Sequence, residues 1–325
     1  MTHLKPIVLS LLLAITFGLV ACHDDALSPQ SVVEADASQH PFTELDQWIQ
    51  DSITHPYGIA VEYRWNKHVA PTASYVFPPQ SDNVKAVLQT LKALWLDLYT
   101  DAQTGGAKFL EGKRPLKLYL FGGDNLDTNG VPLLSHRTAS NVEMYLFNVN
   151  DFQARDTASV YRLMRSVHHQ FAKRLGEIFP YDRDKFQSIA PQWYTHGSTA
   201  DLRIQLTLIK HPVDFYKPSA YARYHGMYTY HSILSPEEEF AEIISTHLMH
   251  TPRELNTIAK AVRTPLINDP DPEQAAADKA YAEARYAEFV AKRDFVETYF
   301  QKTVGIPLPL LQTLSLKKQR QWYAR

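Results

Sequence analysis

The chain has very little cysteine, because Cys22 is the only one among its 325 residues. No intramolecular disulfide can therefore form. An excess of charge of one sign is also lacking, since 33 lysine and arginine residues stand against 35 aspartate and glutamate residues, for a formal net charge of -2. This balance gives no electrostatic reason to expect nucleic acid as a partner.

Several sequence signatures of catalysis and nucleotide binding are missing as well. The chain contains no G-x-S-x-G nucleophile elbow, no P-loop and no G-x-G-x-x-G fingerprint. A complete H-E-x-x-H zinc motif is also absent, although part of it is present. That motif places two imidazoles one helical turn apart, with a carboxylate beside them to activate the metal-bound water.

The incomplete motif lies in residues 167–175, which read Val-His-His-Gln-Phe-Ala-Lys-Arg-Leu. His169 occupies the first ligand position, whereas Gln170 stands where the general base belongs and Lys173 where the second histidine belongs. Glutamine cannot take a proton from water, and a charged lysine would repel a metal ion. His168 is adjacent but about 100° around the helix, so the two histidines are poorly placed to chelate one ion.

A long apolar run occurs only at the start of the chain. Residues 7–20 have the length of a signal-peptide core, which is too short for a spanning helix, and Leu19-Val20-Ala21-Cys22 resembles the lipobox of bacterial lipoproteins. The alternative is a plain secretory signal with a stray cysteine. We predict a signal peptide over 1–21, lipidation of Cys22, a flexible tether over 22–41 and one folded domain over 42–325. Asp24 and Asp25 resemble a surface-export signal, so we expect an outer-membrane protein that is lipid-anchored at the cell surface.

Hydrophobic periodicity predicts an α+β fold, with strands early in the chain and helices late. The spacing predicts strands over 59–65, 116–121 and 143–148. It predicts helices over 42–52, 82–99, 156–178, 235–248, 252–262 and 271–301, followed by a short apolar stretch over 308–316.

A third zinc ligand is commonly a glutamate on a later helix, and Glu238 with Glu242 one turn further on has that spacing. Glu238 would be the ligand, and Glu242 would support the metal ligands through a hydrogen bond. The alternative is a helix start in which Ser235 is the N-cap, Pro236 follows, and Glu238 completes a capping box. Both interpretations can hold for one residue.

Together, the helix around His169, the helix around Glu238 and the lipobox resemble the putative zinc-binding metallopeptidase lipoproteins, also called substrate import-associated zinc metallohydrolase lipoproteins. Further matching segments are 56–65, 76–79, 94–96 and 296–306. The resemblance implies a gluzincin-like α+β fold. It also implies an association with a TonB-dependent receptor and its lipoprotein partner in nutrient import.

The chain departs from the family pattern at positions 170 and 173, so it is identified as a degenerate member in which no catalytic set is intact. We therefore expect no bound cofactor and a non-catalytic role, in binding a peptide or glycan or in bracing an import receptor. The alternatives are an active zinc hydrolase with rearranged ligands and a purely structural subunit. Lys173 is expected to pair with Glu238 in place of the metal.

Aromatic residues are dense over 215–230, between the two segments with remnant ligand positions. Tyr224 and Tyr228 are candidate ligand-binding residues, because tyrosines can stack on sugars or anchor a peptide. The alternative is a long loop packed down by its own aromatic side chains. Later histidines are candidate replacement ligands, although no pair has the i, i+4 helical spacing that chelates: His196, His211, His225, His231, His247 and His250.

Overall fold

The computed structural model describes residues 41–64, 68–70, 76–128, 130, 132–135, 142–197, 222–265 and 269–324. The predicted signal peptide, Cys22 and the predicted tether up to residue 40 lie outside these residues. The chain divides into two compact units, Met1–Glu44 and Leu45–Arg325. Only residues 41–44 of the first unit are described.

The described part of the chain is mostly helical, with one small sheet. The strands are β1 (Ala60–Glu62), β2 (Lys117–Leu120) and β3 (Glu143–Leu146). The helices are α1 (44–57), α2 (81–99), α3 (Thr157–Ile178), α4 (Arg183–Gln187), α5 (Pro236–Met249), α6 (Pro252–Arg263), α7 (272–304) and α8 (Leu308–Tyr323). Single π-helical turns interrupt α1 and α2 at Gln50–Thr54 and Lys92–Leu96, and a third, Phe300–Val304, ends α7.

The three strands form a parallel sheet in the order β1-β2-β3, with Leu118 aligned with Val61 on one side and Met144 on the other. Helix α2 lies between β1 and β2 in the chain and provides the long crossover that parallel strands need. The mixed fold is confirmed, but the segregation of early strands from late helices does not hold here. The parallel pairing was not predicted, because each strand is only three or four residues long.

Side chains alternate between the two faces of the sheet, as the pleat requires. Leu118, Leu120, Met144 and Leu146 join the main hydrophobic core, whereas Tyr119, Phe121 and Tyr145 form a separate aromatic cluster on the other face. The sheet is therefore covered on both sides, which is usual for parallel strands.

Helix α3 crosses the centre of the core. Asp156 caps its first turn by accepting a hydrogen bond from the backbone N–H of Ser159 at 2.8 Å. In the middle of the helix, the Phe171 ring makes edge contacts with Trp95 and Tyr99 of α2, at centroid distances of 5.4 and 4.7 Å. This packing holds the segment with the incomplete zinc motif in a rigid position.

The predicted long helices agree with the structure to within a few residues, apart from the C-terminal segment. Residues 308–316, taken as a short apolar stretch, are the first half of α8, which continues to Tyr323. Its second half is polar and was missed, because apolar spacing alone defined the prediction. Within the described residues, no helix combines the length and apolar content that crossing a membrane would require.

Candidate functional site

Two neighbouring helices supply the site. Arg165, His169 and Lys173 follow one another at four-residue intervals on α3, and Glu238 and Glu242 do so on α5, so each set lies along one helix face. The two faces meet in antiparallel order. We call these five side chains the charge ladder.

His169 lies at the centre of the charge ladder and is fully buried. Its Nδ1 is 2.8 Å from Oε1 of Glu242, and its Nε2 is 2.8 Å from Oε2 of Glu238. Ionised carboxylates only accept hydrogen bonds, so both ring nitrogens must carry a proton. The ring is therefore an imidazolium held between two carboxylates.

Lys173 forms the outer end of the charge ladder. Its Nζ donates to Oε1 of Glu238 at 2.6 Å. The pair that the sequence predicted is thus present, although it is not deeply buried: the two side chains are 24% and 19% exposed. Its contribution to stability should accordingly be smaller than that of a fully buried pair.

Glu242 forms the inner end and has no exposed surface. Its Oε2 accepts hydrogen bonds from the Arg165 guanidinium and from the Thr229 hydroxyl, and its Oε1 contacts His169. A buried carboxylate with this many charged and polar partners is well compensated for its loss of water.

His231 extends the network beyond the charge ladder. The Arg165 guanidinium lies 3.1 Å from its Nδ1, and its Nε2 lies 2.8 Å from the carbonyl oxygen of Pro132. Because arginine only donates and a carbonyl only accepts, Nδ1 is the acceptor and Nε2 carries the proton. Burial lowers the pKa of His231 to about 4, which agrees with this neutral ring.

The charges of the ladder reinforce one another. Burial by itself would raise the pKa of Glu238, but His169 and Lys173 outweigh it and hold that pKa well below the ordinary range. Glu242 behaves in the same way, with Arg165 as the strongest opposing charge. For His169, burial favours the neutral ring, yet the two carboxylates raise its pKa overall. The neighbouring charges thus favour the charged forms of Glu238, Glu242 and His169.

Gln170, at the position of the general base, faces away from the charge ladder and towards β3. Its Oε1 accepts from the backbone N–H of Tyr145 at 2.9 Å, and its Nε2 donates to the carbonyl oxygen of the same residue at 2.8 Å. The same Nε2 lies 3.1 Å from the carbonyl oxygen of Leu134 and from the hydroxyl of Ser166. Gln170 thus binds α3 to the sheet edge, and a carboxylate could not make the donated bonds.

The residues at the incomplete motif do not fit a catalytic zinc ion as they are arranged. Zinc needs an unprotonated imidazole nitrogen, whereas both nitrogens of His169 face carboxylates as donors. The position of a second histidine holds the ammonium of Lys173, which has no lone pair to offer. Across the described residues, no three His, Cys, Asp or Glu side chains are grouped so as to hold a metal ion.

Glu238 takes part in the N-terminal cap of α5 through its backbone and pairs with α3 through its side chain. Ser235 is the N-cap of α5, since its hydroxyl accepts from the backbone N–H of Glu238 at 3.2 Å. The predicted capping box is only half formed, because the Glu238 carboxylate turns to His169 and Lys173 instead of reaching back to the cap. The charged partners across the helix interface bind it more strongly than a backbone N–H would.

The other candidate residues lie away from the charge ladder. Tyr228 is only 5% exposed and stacks on Phe289 at a centroid distance of 4.2 Å, so packing explains it better than ligand binding. Tyr224 is 37% exposed and packs against Tyr281. His168 is buried beside Tyr99, and neither of its ring nitrogens has a hydrogen-bond partner in the described structure.

Among the later histidines that the structure describes, His231 alone contacts the network, through Arg165. His247 and His250 turn back onto the carbonyl oxygens of Ile243 and Thr246 on their own helix. His225 packs against Trp193 at a centroid distance of 4.1 Å. The side chain of His196 is not placed in the site, and His211 lies outside the described residues.

Arg165 and Thr229 were not among the predicted site residues, and His231 was predicted only as a candidate replacement ligand. Arg165 could have been found, because it precedes His169 by four residues and so shares its helix face. Thr229 and His231 come from the segment before α5, whose position against α3 depends on tertiary packing.

Comparison with known proteins agrees with this architecture. Residues 38–309 match the family model described as "putative zinc-binding metallo-peptidase". A crystal structure of a putative zinc-binding metallo-peptidase from Bacteroides caccae ATCC 43185 superposes with a TM-score of 0.59 over 91% of this chain and 96% of that chain, at 16% sequence identity, and so shares the fold. No curated protein matches the chain significantly. Since the family model covers more than half of the residues, the chain belongs to the putative zinc-binding metallo-peptidase family.

Proposed function

We propose that this chain is a non-catalytic member of its family, in which a salt-bridge network takes the place of the zinc ion. The observation that carries the proposal is the position of His169, which has a carboxylate 2.8 Å from each ring nitrogen. A ring in this state has no lone pair for a metal. The general base is also absent, because Gln170 is engaged with the backbone of β3.

The charge ladder can perform the structural part of the task of a metal. A zinc ion would join ligands from α3 and α5 through one divalent charge, and here three cationic side chains join the same two helices to two carboxylates. The fold around the old metal site is thereby retained without a nucleophilic water. Such a protein can bind a peptide or glycan, or brace another protein, without cleaving it.

We place this function at the outer membrane, with the protein held by lipid on Cys22 and facing the cell surface. The support is the lipobox-like sequence, the acidic residues that follow it, and the resemblance to lipoproteins of nutrient import. On this proposal the partners are a TonB-dependent receptor and its lipoprotein, and the catalytic-type scaffold is gluzincin-like. Pull-down of the receptor with the full chain, and its loss with Cys22→Ala, would test the placement.

The metal content of the purified full chain tests the loss of zinc binding. We would add equimolar zinc, remove the excess by gel filtration and measure bound metal by mass spectrometry. The natural chain and the control Lys173→Ala should retain no stoichiometric zinc, because neither supplies a second histidine. Lys173→His should retain about one ion, since it restores a third ligand beside His169 and Glu238.

The alternative function is an active zinc hydrolase with rearranged ligands, and the description of the family as zinc-binding favours it. The same measurement separates the two. Stoichiometric zinc in the natural chain, together with peptidase activity that a chelator abolishes, would overturn our proposal. Peptidase activity appearing only in Lys173→His/Gln170→Glu would support it.

A further inference from the structure

A cavity lies beside the charge ladder, and its lining does not include His169, Lys173 or Glu238. It has a volume of about 260 Å³ and lies where the chain leaves β2 and β3, against the first turns of α3. Open parallel sheets commonly bind ligands at the carboxyl ends of their strands. A cavity of this size is smaller than the sites of drug-sized molecules, so its ligand should be small.

Much of the wall is apolar. Val87 of α2, Leu146 of β3 and Leu163 of α3 line the cavity, together with Leu134 and Phe152 from the adjoining loops. These side chains belong to different elements that pack into one core, so the wall is preformed and would not have to order on binding. An apolar interior of this kind favours a ligand with a hydrocarbon portion.

The polar groups of the lining are mainly hydrogen-bond donors. Arg162 lines the cavity and forms no ion pair or hydrogen bond with the described part of the chain. The hydroxyls of Tyr161 and Tyr230 likewise make no hydrogen bond there, and burial raises the pKa of both, so they stay protonated. Arg165 also contributes to the lining, but its charge is already paired with Glu242.

We propose that this cavity binds a small organic carboxylate with an apolar chain, whose carboxylate pairs with Arg162 and whose chain lies against the apolar wall. Arginine suits this role because its planar fork of donors matches a carboxylate in a bidentate arrangement. Tyr161 and Tyr230 supply further donors to the same group. A neutral ligand would form no charge-assisted hydrogen bond with Arg162.

Two kinds of molecule share this chemistry: a short-chain fatty acid and a free apolar amino acid. Asp124 on the exposed rim of the cavity distinguishes them, since its carboxylate offers a partner to the ammonium of an amino acid and repels a second carboxylate. The inference does not depend on the loss of zinc binding, because the cavity and the charge ladder use different ligand-facing residues.

Calorimetric titration of the full chain with hexanoate, 1-hexanol and leucine tests the proposal. We expect saturable one-to-one binding of hexanoate or leucine, and binding of 1-hexanol that is weaker by tenfold or more than that of hexanoate, about what one charge-assisted hydrogen bond contributes. Arg162→Met should weaken carboxylate binding by a similar factor, and Arg162→Lys should recover part of it. Circular dichroism would verify that these exposed-residue variants fold.

Preference for leucine, lost in Asp124→Asn, would identify an amino-acid site, and preference for hexanoate a fatty-acid site. Either result supports the proposal. Equal binding of hexanoate and 1-hexanol, no loss of affinity in Arg162→Met, or no saturable binding of either carboxylate would overturn it.

Discussion

Glu238 and Glu239 are adjacent in the sequence but take part in two very different charge clusters. They project about 100° apart around α5, so Glu238 faces α3 and Glu239 faces α7. On the α3 side, two carboxylates share three cations and a threonine hydroxyl. On the α7 side, Nζ of Lys292 lies 2.7 Å from Oε2 of Glu239, and both side chains are only 1% exposed.

The group around Glu239 and Lys292, which we call the α7 cluster, contains fewer charged and polar side chains than the charge ladder. Tyr194 donates to Oε2 of Glu239 at 2.5 Å, and Nζ of Lys292 lies 5.4 Å from the centroid of the Tyr194 ring. In the described structure, Oε1 of Glu239 has no hydrogen-bond partner. Within the described residues, Lys292 is thus the cation that forms an ion pair with this deeply buried carboxylate.

The contrast concerns how each cluster responds to the removal of one side chain. In the charge ladder, Glu238, Glu242 and His169 each have two charged partners, so removal of Lys173 or Arg165 leaves no carboxylate without a cationic neighbour. An isolated buried pair leaves a lone charge when either side chain is removed, and that outcome is costly. We therefore expect the charge ladder to lose less stability than the α7 cluster when one charged side chain is removed.

The largest effect should come from Lys292→Met, which leaves Glu239 charged and buried without a cation. We expect the free energy of unfolding to fall by about 3–5 kcal/mol, measured by urea denaturation. Lys302→Met, on an exposed part of the same helix, is the matched control and should change little. Lys292→Met/Glu239→Gln should regain much of the loss, and a double variant as unstable as the single one would refute the lone-charge explanation.

Gln170→Glu should have the next largest effect, although it lies outside both clusters. The new carboxylate would face the carbonyl oxygens of Tyr145 and Leu134, which now accept hydrogen bonds from the amide. The lost hydrogen bonds and the repulsion between the carboxylate and these carbonyl oxygens should together cost about 2–3 kcal/mol, seen as a lower melting temperature. Gln170→Met, which removes the bonds without adding charge, should cost less; equal losses would argue against repulsion.

Acid should act on both sides of α5, since burial also lowers the pKa of His231 on the α3 side; on the α7 side it should act through His247, which lies beside Tyr228 at a centroid distance of 5.5 Å. Burial lowers its pKa to about 4, from an ordinary value near 6.5. The unfolded chain therefore takes up this proton first, and stability falls as the pH drops from 6.5 towards 4. The carboxylates of the charge ladder, with lowered pKa values, lose their contribution only at more acidic pH.

Urea denaturation of the natural chain and His247→Gln at pH 6.5 and 5 would measure this effect. The natural chain should lose about 2 kcal/mol more than the variant over that interval. His55→Gln changes an exposed histidine and should retain the natural pH dependence. An unchanged slope in His247→Gln would show that its ring is not the group being protonated.

The smallest effect should come from Lys173→Ala. Its pair with Glu238 is partly exposed, and Glu238 keeps His169, so we expect a loss of only about 1–2 kcal/mol. A double-mutant cycle with Glu238→Gln would isolate the pair itself. A loss as large as that of Lys292→Met would remove the contrast between the shared network and the isolated pair.

Much of the helical framework could be predicted from the sequence. Regular apolar spacing in α2, α3 and α5 reports burial on one helix face, and the cap at Ser235 is a local signal that needs no tertiary contact. The four-residue interval places His169 and Lys173 on one helix face, and the pair with Glu238 was predicted because Lys173 and Glu238 both stand at ligand positions of the incomplete zinc motif. The strands were predicted at the right positions but too long, because a strand of three residues shows almost no periodicity.

The sequence by itself determined that the zinc motif is incomplete, since the identities at 170 and 173 rule out the base and a ligand in any fold. Only the tertiary structure decided what replaced them. Gln170 turns to β3 because the unpaired backbone of an edge strand is there, and Thr229 reaches Glu242 because the preceding loop packs against α3. Such contacts join residues far apart in the chain, and local spacing carries no information about them.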